Sequence, residues 1–198
     1  SVIVDSTDAH RALRAVHAGF YLSPQTISVG VIGPGQVGSA LLRQISMARQ
    51  RLLEKANVDL RVRAIAGRSK MVLSESPVGI DGSRETIDRH GVATDIAAFE
   101  KHVKADHIPH AVIIDCSASS ALADSYASWL RAGIHVITPN KHGGSGSIDR
   151  YRAIKSVTNA SFRYESTVGA GLPVISTLRD LLDTGDEVLA IDGIFSGT

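Results

Sequence analysis

The sequence predicts an α/β fold in which helices cover both faces of a doubly wound parallel β-sheet. Apolar runs of strand length alternate with segments of helical periodicity along the chain. Strands that are apolar on both faces indicate a parallel sheet buried between helices. In addition, residues 33–38, with the sequence G-P-G-Q-V-G, join an apolar run to a helical segment. A strand, a glycine turn and a helix in this order are typical of the Rossmann type of this fold.

The individual elements are predicted from hydrophobic periodicity and from capping residues. Strands are expected at residues 2–4, 27–32, 60–66, 111–115 and 134–137, and helices from a cap at residues 6–8 to residue 20 and over residues 37–52, 96–103, 121–130 and about 147–157. The helix after the glycine turn is expected to bury Val37, Leu41, Ile45, Ala48 and Leu52. Residues 69–92 are rich in Ser, Gly and Asp, and we expect them to loop over the edge of the sheet.

Composition limits the class of protein. The chain has 198 residues, 43% of them hydrophobic, and a net charge of +1, as in an ordinary soluble protein. We therefore expect no nucleic-acid partner, and no apolar run approaches the ~20 residues of a membrane helix. The single cysteine, Cys116, rules out an internal disulfide and predicts a reducing, cytoplasmic location. The chain begins at Ser1 and stops at Thr198 just after an apolar strand-like run, so we expect both ends to be cut.

The glycine turn predicts a binding site for a nicotinamide or flavin dinucleotide. Gly33 permits the tight turn, Gly35 lets the backbone approach a pyrophosphate, and Gly38 allows the helix to pack on the strand. The free N–H groups and the dipole at the start of the helix favour the negative charge of the phosphates. The residues expected to contact the cofactor here are Ile32, Gly33, Gly35, Gln36, Val37 and Gly38.

The end of the second main strand bears on the choice between NAD and NADP. NAD sites usually place an Asp or Glu at this point to bind the ribose hydroxyls. This chain has Gly67-Arg68-Ser69-Lys70 instead, and two cations with a hydroxyl suit a 2′-phosphate. The sequence therefore favours NADP with Arg68 and Ser69 as ligands, and NAD remains possible. The alternative is that Arg68 and Lys70 are only solvated loop charges.

Two further segments carry candidate chemistry. Lys141 closes the sequence Thr-Pro-Asn-Lys at the carboxyl end of a buried strand, the edge where open α/β sheets place their chemistry. A lysine there can hold an alkoxide or donate a proton, and the alternative is a lysine on a surface loop. Residues 164–173 form a glycine-rich loop that leads into a helix. This loop suits a phosphate nest, a cation site built from carbonyls, or a plain turn.

Taken together, these segments resemble homoserine dehydrogenase over about residues 26–198. The motifs that carry the resemblance are residues 30–38, 114–117, 138–141, 168–173 and 193–198. Residues 1–22 are similar to the end of the regulatory, ACT-like region of an aspartate kinase, as in fused kinase–dehydrogenase enzymes. The resemblance then implies an NAD(P)-binding domain at residues 26–160 and the truncated start of a catalytic domain at residues 161–198.

The resemblance implies the NAD(P)-dependent interconversion of L-homoserine and L-aspartate 4-semialdehyde in threonine, methionine and isoleucine biosynthesis, in a homo-oligomer. Ser117 then matches a hydroxyl near the nicotinamide ribose, with Cys116 and Thr138 also on the cofactor. Lys141 matches a catalytic lysine that contacts cofactor and substrate. The remaining matched residues, Glu165 and the carbonyls of Val168, Ala170 and Leu172, form a site for a monovalent cation such as Na⁺.

This sequence also departs from the family pattern. Relatives often carry a second lysine after Thr-Pro-Asn-Lys, where this chain has His142. The family's acidic substrate ligands and its usual proton-donating lysine fall beyond Thr198, so we expect the chain alone to bind nucleotide without turnover. Two rival interpretations stay open: a nucleotide-sensing regulator without catalysis, and a dehydrogenase of another semialdehyde.

Overall fold

The computed structural model describes residues 4–9, 12–13, 16, 25–78 and 83–194 of the chain. The chain divides into two compact units, Ser1–Ile113 and Ile114–Thr198. Residues 2–3 of the first predicted strand, and Phe20 at the end of the first predicted helix, lie outside the described residues. Residues 9, 12, 13 and 16 are helical as predicted, but the side chains of Leu13 and Val16 are exposed.

Between residues 25 and 109, the described part of unit 1 contains four strands and three helices. In chain order they are β1 (Thr26–Ile32), α1 (Gln36–Ala56), β2 (Asp59–Ala66), β3 (Lys70–Leu73), α2 (Ser83–His90), β4 (Val92–Ala93) and α3 (Ile96–Val103). The strands lie in the order β4-β3-β2-β1. The pair β1–β2 is parallel, and β3 is antiparallel to both β2 and β4.

The core of unit 1 forms where α3 packs on β1 and β2. Phe99 and Val103 of α3 are fully buried. A Cβ added to Gly30 of β1 would lie 2.5 Å from Val103 Cγ2 and 2.7 Å from Phe99 Cζ, so the glycine is needed for this close approach. On α1 the buried residues include Leu42 and Ile45. Of the residues predicted to be buried on this helix, Ile45 is buried but Val37 is exposed, so the predicted buried face was partly wrong.

The prediction of a loop over residues 69–92 was wrong. The structure places β3 and α2 there, with Met71 and Ile87 buried as their apolar anchors. β3 has only four residues and α2 is mostly polar, so the polar composition of the surrounding segment hid them. Because β3 pairs with β2, the segment extends the edge of the sheet that it was expected to cover.

Unit 2 begins within the next strand. Its elements, in chain order, are β5 (His110–Asp115), α4 (Ser120–Asp124), α5 (Tyr126–Arg131), β6 (Ile134–Ile137), a 3₁₀ turn (Lys141–Gly143), α6 (Ile148–Lys155), β7 (Phe162–Arg163), a second 3₁₀ turn (Glu165–Thr167) and α7 (Val174–Asp183). The strands follow the order β5-β6-β7, and β6–β7 is parallel. The predicted helix over residues 121–130 is interrupted at Ser125, which ends α4 and precedes α5.

The core of unit 2 is built around α5 and β6. Tyr126, Trp129 and Leu130 are fully buried, as are Ile134 and Val136 of β6. The rings of Tyr126 and Trp129 lie 5.7 Å apart between centroids. Parallel strands alternating with helices confirm the predicted α/β class. The apolar run near the end of the chain forms no strand within the described residues 184–194.

None of the helices in the described part of the chain is both long enough and apolar enough to cross a bilayer.

Candidate functional site

The glycine turn after β1 has the backbone geometry that the motif predicts. Gly33 has φ of +83°, a left-handed conformation that favours glycine, and its N–H donates to the Ala66 carbonyl over 2.8 Å. Gly35 precedes α1 with φ of −77°, which any residue can adopt. A Cβ added to Gly35 would meet no atom within 4 Å. The packing of the described protein atoms therefore gives no reason for a glycine at position 35.

The start of α1 presents free N–H groups to solvent. Among the described residues, no side chain caps this helix, and its first turn carries no acid. The first N–H groups of a helix have no partner inside it, and the dipole adds positive character. Gln36 and Val37 are exposed here, Val37 by 57%, whereas Gly38 and Ile32 are buried. The first turn of α1 is thus suited to an anion.

A cleft of about 280 Å³ adjoins the glycine turn. Its lining includes Arg68 and Ser69, as predicted, together with Lys70. Ile87 and Asp88 of α2 also line it, and the sequence analysis missed both because it predicted no helix there. The Nζ of Lys70 donates to the Asp88 carbonyl over 2.8 Å, which ties β3 to the end of α2. The residues that line the cleft therefore include the acidic Asp88 beside the predicted cations, and the contact of Asp88 with Lys70 is made by its main-chain carbonyl.

In unit 2, a buried polar network surrounds Asp115 at the end of β5. The Asp115 side chain is fully buried. Its Oδ1 accepts from the Ser117 N–H over 2.8 Å, and its Oδ2 accepts from Asn140 Nδ2 over 3.0 Å and from the Tyr126 hydroxyl. Three donors satisfy the buried carboxylate, as a buried charge requires. Sequence reasoning assigned Ser117 to the cofactor and used motifs that contain Asp115 and Asn140 without giving those two a role, whereas it missed Tyr126.

Thr138 belongs to the same network. Its Oγ1 donates to the main-chain carbonyl of Asp115 over 2.7 Å and accepts from the Asn140 N–H over 2.8 Å. Because Thr138 is only 1% exposed, its hydroxyl serves to join the ends of β5 and β6. Burial, followed by the Asp115 charge, raises the pKa of Tyr126 far above its ordinary value, so its hydroxyl stays protonated.

Lys141 opens the 3₁₀ turn after β6. The side chain of Asn140 caps this turn by accepting from the His142 N–H over 3.1 Å. Lys141 lines a cleft of about 580 Å³ in unit 2 that also contains Lys155, Arg179 and Tyr164. The predicted lysine is therefore held on an ordered turn at a cleft.

Cys116 is half-buried beside this network. Burial, with the Asp115 charge as the second cause, raises the pKa of its thiol to about 11. The thiol therefore stays protonated at neutral pH and does not act as a nucleophile there.

Glu165, the residue predicted to bind a monovalent cation, caps the start of α7 in the structure. Its carboxylate accepts from the N–H groups of Ile175 and Ser176 at the start of α7. The loop between them contains two residues with left-handed backbone, Gly169 and Ala170. The described residues contain no group of three or more His, Cys, Asp or Glu side chains arranged to hold a metal ion.

Comparison with known proteins identifies the family. A family model described as the NAD-binding domain of homoserine dehydrogenase matches residues 33–165. The chain belongs to the homoserine dehydrogenase family. The matched residues include the glycine turn, Arg68, Asp115, Lys141 and Glu165.

Relatives of known name agree with this assignment. Bifunctional aspartokinase/homoserine dehydrogenase 1 of Arabidopsis thaliana, a chloroplastic protein, is 49% identical to the whole chain, which spans 22% of its length. Homoserine dehydrogenase of Schizosaccharomyces pombe is 33% identical over 89% of the chain and 48% of its own length. The chain thus covers less than half of either protein. Because several relatives are chloroplastic by name, the predicted cytoplasmic location stays a prediction.

Solved structures of the family share the fold. A hyperthermophilic archaeal homoserine dehydrogenase in complex with NADPH has a TM-score of 0.62 and 24% identity, covering 80% of this chain and 50% of that one. A Candida auris protein of unknown function has a TM-score of 0.71 and 30% identity, covering 82% of this chain and 45% of that one. At 24% identity, the archaeal structure supports only the assignment of the fold.

Proposed function

We propose that this chain is the nucleotide-binding part of a homoserine dehydrogenase, which interconverts L-homoserine and L-aspartate 4-semialdehyde. The observation that carries the proposal is the glycine turn: Gly35 has no packing reason to be glycine, and it stands before an uncapped helix start. A pyrophosphate supplies that reason, since a side chain would occupy its place. The bound dinucleotide supplies the hydride acceptor for the reaction.

The cofactor that we propose is NADP(H), and NAD(H) is the weaker ligand. Arg68 and Ser69 line the cleft beside the glycine turn, and the strand end carries no acid of its own. A guanidinium can bind a 2′-phosphate through two charge-assisted hydrogen bonds. Asp88 opposes this preference, because it adds a negatively charged residue to the lining of the same cleft. Lys70 attracts the 2′-phosphate mainly through its positive charge, since one of its N–H groups already donates to the Asp88 carbonyl.

Lys141 is the proposed catalytic residue. Hydride leaves an alcohol as the hydroxyl proton departs, so a fixed cation beside that oxygen lowers the barrier. The capped turn fixes the main chain of Lys141, and this residue lines the cleft. Ser117 and Cys116 are proposed to lie on the nicotinamide side, and the main chain of Thr138 contributes there because its hydroxyl is occupied.

A monovalent cation at the loop after Glu165 remains a proposal. The donor set suits Na⁺ in kind, since it offers a carboxylate and the carbonyls of Val168, Ala170 and Leu172. Both Glu165 oxygens already accept one helix N–H each, and the Leu172 carbonyl accepts from the Val174 N–H over 2.9 Å. Each of these oxygens keeps a second lone pair, so the cap and a cation are compatible. Homo-oligomerisation also remains a proposal.

Titration of NADPH and NADH into the purified 198-residue chain tests the proposal. Nicotinamide fluorescence and calorimetry should both show saturable binding at one site, with NADPH the tighter ligand. The absence of saturable binding for both cofactors at millimolar concentration would contradict the proposed function.

A further inference from the structure

The carboxylate of Asp115 connects two segments of unit 2 that the proposed function uses. One oxygen holds the Ser117 N–H over 2.8 Å, and the other holds Asn140 Nδ2 over 3.0 Å. Asn140 in turn caps the 3₁₀ turn that begins at Lys141. We propose that Asp115 is a positioning residue, which orients Ser117 and Lys141 for the nicotinamide half of the cofactor. This inference rests on the proposed function.

The network requires a carboxylate at position 115. The Ser117 N–H, the Asn140 amide and the Tyr126 hydroxyl all donate to it, and only an ionised carboxyl accepts at both oxygens. An asparagine would turn its NH₂ either towards the Ser117 N–H or towards the Asn140 amide. Each orientation sets two donors against each other, and full burial keeps water from repairing the mismatch. Either the contact with the Ser117 N–H or the contact with the Asn140 amide must then be lost.

Asn140 cannot escape the mismatch by rotating its amide. Its Nδ2 also donates to the Ser119 carbonyl over 2.9 Å, and its Oδ1 accepts from the His142 N–H. A rotated amide would place nitrogen against the N–H and oxygen against the carbonyl. The orientation of the 3₁₀ turn is therefore coupled to the charge on Asp115.

The strand ends themselves do not depend on the carboxylate. Thr138 Oγ1 donates to the main-chain carbonyl of Asp115, and this bond survives any change of the side chain. The apolar packing of Trp129 and Leu130 also stays in place. Asp115→Asn should therefore leave a folded unit in which the two loops have lost their orientation.

The experiment compares two ligands in two variants. NADPH carries the nicotinamide, whereas adenosine 2′,5′-bisphosphate carries only the phosphorylated adenosine half. Asp115→Asn is expected to weaken NADPH at least tenfold while the affinity for adenosine 2′,5′-bisphosphate changes less than twofold. Tyr126→Phe is the matched control, because it removes one donor to the same carboxylate and leaves the Ser117 and Asn140 contacts. It should lower the melting temperature but change the ratio of the two affinities less than twofold.

Asn140→Ala provides a second variant in case Asp115→Asn fails to fold. It removes the Asn140 contacts with Asp115, the Ser119 carbonyl and the His142 N–H but leaves the Ser117 contact, and it should lower the same affinity ratio about threefold or more. An unchanged ratio in the folded variants, or an equal fall in Tyr126→Phe, would overturn the inference while leaving the proposed function standing. If the wild-type chain binds neither ligand, both the proposed function and this inference fall.

Discussion

The carboxylate of Glu165 caps α7, since its Oε1 accepts from the Ile175 N–H over 2.8 Å. Its Oε2 accepts from the next N–H, that of Ser176, over 2.9 Å. A carboxylate at this position satisfies N–H groups that lack partners within the helix and interacts favourably with the helix dipole. The glycine loop at residues 168–173 lies along the chain between Glu165 and the start of α7. Glu165 thus has a structural role whether or not the loop binds a cation.

Replacing Glu165 by Gln should destabilise the chain by about 1–2 kcal/mol, because one capping bond and the charge at the helix start are lost. Thermal unfolding checks this, with Glu187→Gln, an exposed acid outside the cap, as the control. If the loop also binds Na⁺, added NaCl at constant ionic strength should raise the melting temperature of the wild type only. A melting temperature of Glu165→Gln equal to that of the control would contradict the capping role.

Arg68→Ala should weaken NADPH selectively. The loss of a charge-assisted hydrogen bond to the 2′-phosphate is worth about 1–3 kcal/mol, or roughly five- to 150-fold in Kd. NADH affinity should change little, because NADH lacks the phosphate. Arg51→Ala removes the same charge from the exposed surface of α1 and serves as the control. Equal affinity of the wild type for both cofactors would refute the proposed preference.

Asp88→Asn should have the opposite effect. Removing a carboxylate from the cleft wall relieves its repulsion of the 2′-phosphate, so NADPH should bind about three- to tenfold more tightly in low salt. This gain in NADPH affinity should be smaller in 0.5 M NaCl, because at that salt concentration interactions between exposed charges are screened beyond a few ångströms. Glu85→Gln, on the same helix but outside the cleft lining, is the matched control. A gain of the same size in Glu85→Gln would show that only the overall charge matters.

Cys116 should react slowly with alkylating reagents. A pKa of about 11 instead of 9.0 leaves about 10²-fold less thiolate at pH 8.5. Iodoacetamide kinetics between pH 7 and 11 measure this, and the same chain in guanidinium chloride should recover the ordinary rate. Because the folded pKa is the higher one, Cys116 contributes stability below pH 9 that is lost as the pH rises towards 11. Equal rates in the folded and unfolded chain would refute the shift.

The sequence predicted correctly those elements whose apolar side chains indicate that they are buried. The strands β1, β2, β5 and β6 are largely apolar, although Arg61 and Arg63 interrupt β2, and the structure confirms each within about one residue. In contrast, β3 and α2 were missed, because β3 has only four residues and α2 contains Ile87 alone as an apolar residue, in a segment that is otherwise largely polar. Composition indicates a loop in such a segment, whereas pairing with β2 decides its structure.

The same distinction applies to the candidate site. The glycine turn was predicted because its geometry depends on neighbouring residues alone, as the left-handed Gly33 shows. The network around Asp115 joins residues as far apart as Asn140, 25 positions along the chain, and no local pattern reports such a contact. Asp88 was missed for a related reason, since it lines the cleft only once α2 has formed.

The central claim is that the glycine turn holds the pyrophosphate of a dinucleotide, and Gly35→Val tests it most directly. Valine can adopt the backbone conformation at Gly35 and meets no protein atom there, so the variant should fold like the wild type. Its side chain would occupy the place of the pyrophosphate, and NADPH binding measured by calorimetry should be abolished. Ser46→Val, on the exposed face of α1, should bind NADPH like the wild type. Undiminished NADPH binding by folded Gly35→Val would contradict the claim.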